Sequence, residues 1–105
     1  MIFGRSRFHD LVQRQLDLFA ADEASLLEEA EEADAAWTSA DRDETEELYG
    51  DYQLVVDTIG ERLYDLREAY ASTLGTEADD EYRAAFDAAA AKRFRRFASF
   101  LGDEA

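Results

Sequence analysis

Cysteine and proline are both absent from this chain of 105 residues, and glycine occurs only five times. Without cysteine there is no disulfide framework, no thiolate metal site and no redox chemistry through sulfur. Without proline, and with so little glycine, nothing in the composition breaks up long helices. Histidine is represented by His9 alone. A di-iron carboxylate bundle needs a Glu-x-x-His pair on each of two helices, so that site is excluded. A nucleophilic triad is equally hard to assemble, because the five serines have only the distant His9 to activate them. No glycine-rich phosphate loop is present. No apolar run approaches the roughly 20 residues of a membrane span, and Met1-Ile2-Phe3-Gly4-Arg5 lacks the continuous apolar stretch of a secretion signal, so a cytoplasmic protein is expected.

What remains is rich in alanine, leucine, glutamate and arginine, the composition of helices rather than sheets. The length suits one domain over residues 1–105, with 1–5 expected to form a flexible arm. Apolar residues make up 47% of the chain, but alanine takes 19 of those positions and leaves 30 larger side chains. The core is therefore thin, and a second subunit is one way to complete its burial.

Apolar periodicity divides the chain. Ser6 is a plausible N-cap, and Phe8, Val12, Leu16, Phe19, Leu26, Ala30, Ala33 and Trp37 follow at helical spacing. The polar run Thr38-Ser39-Ala40-Asp41 ends that segment. A second stripe runs through Leu48, Tyr52, Val55, Ile59, Leu63, Leu66 and Tyr70 and stops at Gly75. Thr76 and Asp79 resemble a capping box, after which Tyr82, Phe86, Ala89, Phe94, Phe97 and Leu101 give a third stripe, with Gly102 as its stop. The pattern predicts an all-α, elongated up-down-up three-helix antiparallel bundle with helices near 6–38, 42–74 and 77–101. The alternative is a four-helix bundle if the first helix breaks near Asp22.

The formal net charge is -15, and it is unevenly spread. Residues 22–51 hold thirteen acids against a single arginine, whereas residues 1–21 carry +1 and residues 82–105 carry +2. Such a field repels nucleic-acid phosphate and acidic lipid and attracts a basic partner, although solubility or a saline host would also favour it. The run Glu28, Glu29, Glu31, Glu32 and Asp34 has no loop to converge it on a cation and reads as a solvated face. Asp41-x-Asp43-x-Thr45 begins like a calcium loop, but Glu46 stands where the turn glycine is needed and Tyr52 where the twelfth-position acid is needed. His9, beside a helix start, is expected to be exposed rather than to bind metal. No catalytic residue, cofactor or metal site is assigned, and no enzymatic activity is expected.

Two features point to binding. Lys92-Arg93-Phe94-Arg95-Arg96-Phe97 is a basic and aromatic stretch in an acidic protein. The favoured reading turns Phe94 and Phe97 to the core while Lys92, Arg93, Arg95 and Arg96 complement the helix dipole and the acids of region 28–47; an anion-binding patch is the alternative. Trp37, among acids and near Leu48 and Tyr49, is either an anchor for a partner or the closure of the bundle end, and the residues leave both readings open. The candidate contact residues are Glu28, Glu29, Glu31, Glu32, Trp37, Lys92, Arg93, Arg95 and Arg96. The leading expectation is a non-catalytic helical adaptor or accessory subunit meeting a basic protein surface, or associating with itself. It is followed by a nucleic-acid mimic, then by a carboxylate metal-binding bundle.

Overall fold

The computed structural model describes residues 6–98 and 101, of which 83% are helical with no strand. The expected arm 1–5 and the expected stop at Gly102 lie outside the described residues. Among the described residues there are four helices: α1 (His9–Asp22), α2 (Ala24–Thr38), α3 (Arg42–Ala71) and α4 (Thr76–Arg93). The expected count of three is corrected to four, because the first periodic stretch is interrupted at Glu23, next to the anticipated break at Asp22.

Glu23 has φ -104° and ψ 24°, off the helical values. Its N–H still donates to the Phe19 carbonyl at 2.8 Å, and its own carbonyl accepts from Leu27 at 2.9 Å. The two helices are thus joined by one residue, with no side-chain cap. The interruption follows from what each helix covers. α1 packs against α4 and α2 packs along α3, while the backbones of α1 and α3 do not approach closely and the two helices meet only through core side chains. One straight rod would have to follow both neighbours. Arg62 Nη1 donates to Glu23 Oε1 at 2.7 Å and ties the junction to α3.

The other helix ends also shift. Ser6 does not cap α1; its Oγ accepts from the Phe8 N–H at 3.1 Å, and the helix proper begins at His9. α3 ends at Ala71 rather than 74, where a turn takes over as the Leu74 N–H donates to the Ala71 carbonyl at 3.0 Å. No capping box forms at Thr76, since α4 has no side-chain cap bond and the Asp79 carboxylate reaches Arg83 instead. α4 ends at Arg93 rather than 101, because Phe94 leaves the helix at φ -125° and ψ 51°. The turn that follows delivers Phe94, Phe97, Ala98 and Leu101 to the core within eight residues.

The second helical hairpin is antiparallel: Tyr70 packs on Tyr82 with ring centroids 4.8 Å apart, and Arg67 on α3 bonds Asp87 on α4. α4 then runs beside α1 in the same direction, with Phe8 on Tyr82 at one end and Phe19 on Phe94 at the other, both at 5.6 Å. The molecule measures 53 × 26 × 22 Å. Val12, Leu16, Ile59, Leu63, Tyr82, Phe86 and Leu101 are fully buried. Each such side chain contributes about 1.5–3 kcal/mol, against roughly 0–1 kcal/mol for an exposed ion pair, so this cluster rather than the surface charge holds the bundle together. Among the described residues no helix is long and apolar enough to cross a membrane.

Candidate functional site

The α2–α3 hairpin concentrates the acid. Glu28, Glu29 and Glu32 project from α2 and are exposed. On α3, Asp43, Glu47, Asp57, Glu61 and Asp65 recur at steps that place them on one outer face, and all are exposed. None of these eight carboxylates has an ion-pair partner among the described residues. Leu54, 67% exposed, sits in the middle of the α3 face. At one end of the hairpin, Trp37 packs edge-on against Tyr49 at 4.9 Å and lies 6.2 Å from Tyr52. The three rings form an edge-on and tilted cluster at the hairpin end. Tyr49 remains 43% exposed, and the Trp37 indole nitrogen is buried with no acceptor. Trp37 is thus partly buried against two tyrosines, while much of Tyr49 faces solvent.

The C-terminal cations separate into two pairs. Arg96 bonds Glu31 and, at 3.2 Å, Asp34, so one of the candidate acids on α2, with its neighbour Asp34, is already engaged within the chain. Partial burial works against the Arg96 charge, but the hydrogen bond it donates to Glu31 and its contact with Tyr52 outweigh it and push its pKa up. Arg93 bonds Asp17 on α1. Lys92 and Arg95 are exposed and form no ion pair among the described residues. The candidate set is therefore divided: Glu28, Glu29 and Glu32 face solvent on α2, Glu31 is bound to Arg96, and Lys92 lies along the α1–α4 groove.

That groove, of about 540 Å³, has a floor of Val12, Ala85, Ala88 and Ala89, with His9, Ser6 and Glu81 at its rim. Ser6 Oγ donates to Glu81 at 3.1 Å and makes no bond to His9. An activated nucleophile needs a base within hydrogen-bond reach, so these groups do not form one. Among the described residues no group of three or more His, Asp or Glu side chains gathers around a point where a metal would sit.

Opposite the acidic hairpin lies a network that the sequence reading missed. Arg67, 4% exposed, donates from Nε to Glu68 and from Nη1 to Asp87, both at 2.8 Å, and stacks on the Tyr64 ring. Glu68 also receives both arms of Arg83 at 2.9 Å. The Arg83 hydrogen bonds, followed by those from Arg67, hold Glu68 below its ordinary carboxylate range. Burial pushes the Tyr82 hydroxyl up to about 12 while it donates to Gln15 Oε1 at 2.7 Å. The signal was present in the spacing, since Arg67 stands four residues after Leu63 and four before Ala71 on the apolar stripe. A charge at a core position of an amphipathic helix requires buried partners.

No protein-family model, curated protein or solved structure matches the chain.

Proposed function

We propose that this chain is a non-catalytic interaction protein whose α2–α3 hairpin offers its carboxylates to a basic surface on a protein partner. The observation that carries this reading is the segregation of unpaired acid. Arginines elsewhere engage Asp17, Glu68, Asp79 and Asp87, whereas Glu28, Glu29, Glu32, Asp43, Glu47, Asp57, Glu61 and Asp65 are left to solvent. Uncompensated like charges destabilise the compact state, and a cationic partner relieves that repulsion on binding. Binding should be fast at low ionic strength and weaken steeply in salt.

A second reading rests on the regularity of the α3 face. Its acids lie on one rigid 30-residue helix, where steps of three to four residues correspond to about 5–6 Å along the axis. Such a rail suits the cationic groove of a nucleic-acid-binding protein. One experiment addresses both: capture from the native host with the natural chain and with a variant carrying Glu28→Gln, Glu29→Gln, Glu32→Gln and Glu47→Gln, each with and without competing DNA. A partner retained by both proteins equally would overturn the acidic-surface reading. A partner lost to the variant and displaced by DNA would favour the mimic.

A further inference from the structure

We infer that α1 carries a second docking face, distinct from the acidic hairpin, whose occupant is another copy of this chain packed antiparallel about a two-fold axis at Leu18. Leu18 is 57% exposed and lies in residues 1–21, which carry +1 in an otherwise strongly acidic chain. Beside it, between α1 and α3, is an open cleft of about 300 Å³ lined by Phe19 and Leu66 and closed at one side by the Arg62–Glu23 pair. The cleft exists because α1 leans on α4, so its backbone stays away from that of α3 and only side chains bridge the space between them. A protruding leucine next to an apolar cleft is self-complementary: a two-fold axis sets the leucine of each copy against the cleft of the other.

Charge selects a second copy over other occupants. Two chains of net charge -15 repel each other wherever α2 or α3 faces its counterpart. The α1 face presents Leu11, Arg14, Leu18 and Asp22 at helical spacing. Arg14 and Asp22 are exposed, and neither has an ion-pair partner among the described residues. Each stands four residues from Leu18, so an antiparallel pair centred there sets Arg14 of one copy opposite Asp22 of the other, twice. A parallel pair would set like charges together. Leu54, the other strongly exposed leucine, lies among Asp51, Asp57 and Glu61 and has no such complement.

The test uses the lack of native cysteine. Leu18→Cys gives a chain whose only disulfide is one between two copies, and Leu54→Cys gives an equally exposed control. Mild oxidation should link the Leu18→Cys protein efficiently and the Leu54→Cys protein poorly. Sedimentation of the natural chain at high micromolar concentration should show a concentration-dependent dimer that strengthens with salt as the -15 charges are screened. Leu18→Glu should weaken that dimer by about tenfold or more with helicity unchanged. Arg14→Glu should weaken it too, and Arg14→Glu with Asp22→Arg should restore it. A natural chain that stays monomeric at both low and high salt overturns the inference, as does a Leu54→Cys protein that links as readily as Leu18→Cys. The acidic-hairpin reading stands or falls separately, because its binding weakens in salt where this one strengthens.

Discussion

The α3–α4 hairpin and the α2–α3 hairpin share a helix, yet they treat charge in opposite ways. Where α3 meets α4, Arg67 is drawn almost wholly out of water and held by Glu68 and Asp87, while Arg83 grips Glu68 and Asp79. Where α3 meets α2, the contact is the most extensive in the bundle and apolar around Ala30 and Ile59, and apart from Glu31 and Asp34, which Arg96 engages, the α2 carboxylates and the outer-face acids of α3 have no ion-pair partner among the described residues. A buried cation is expensive to desolvate and persists only with well-placed acceptors, so the first hairpin holds its register through a few directed bonds. The second relies on close packing and leaves its charge free for something outside the chain.

Four measurements probe this contrast, in falling order of expected effect. Arg67→Ala should destabilise the fold by about 3 kcal/mol, because it opens a cavity, strips the partly buried Asp87 of its donor and leaves Glu68 with Arg83 alone. Arg62→Ala, which removes an exposed pair with Glu23, should change stability by no more than about 1 kcal/mol. Chemical denaturation of both variants would compare them, and equal losses would erase the distinction between the two hairpins.

Alkaline pH probes the same end of the molecule. The Tyr82 hydroxyl is raised from 10.0 to about 12, so the unfolded chain ionises first. Its contribution is intact below pH 10 and is lost as pH rises toward about 12, amounting to about 2 kcal/mol at full extent. Thermal midpoints across that range should fall in the natural chain and fall less in Tyr82→Phe. A parallel decline in the two proteins would assign the effect to other groups.

Salt probes the other end. Thirteen acids against one arginine in residues 22–51 repel one another, so the thermal midpoint should rise with ionic strength as screening sets in. An unchanged or lower midpoint would mean that this acid is compensated. The smallest effect separates two neighbouring residues on α2. Glu32→Gln removes an unpaired charge and should stabilise by a few tenths of a kcal/mol, whereas Glu31→Gln breaks the bond to Arg96 and should destabilise by up to about 1 kcal/mol. Identical responses would show that the Arg96 pairing contributes nothing.

The periodicity of Val12, Leu16 and Phe19, of Ile59 and Leu63, and of Tyr82 and Phe86 identified the buried side chains directly, since a helix in water must hide one apolar stripe. It left open whether the first helix breaks near Asp22, and so could not choose the interruption found at Glu23. The residue is an ordinary helix former, and the break arises because α1 and α2 follow different neighbours, which is a property of the assembled bundle. The sequence favoured pairing of the C-terminal cations with acids of region 28–47, but it could not tell that Arg96 reaches Glu31 and Asp34, 65 and 62 residues away, while Arg93 goes to Asp17, nor that α4 ends early. The sequence by itself determined the helical class, the apolar stripes and the concentration of acid in residues 22–51, because composition, spacing and formal charge belong to the chain before it folds. Tertiary structure alone decided which acids are neutralised, where Arg67 is buried and which leucines stay in water, because those outcomes depend on side chains far apart in sequence arriving within a few ångströms of each other.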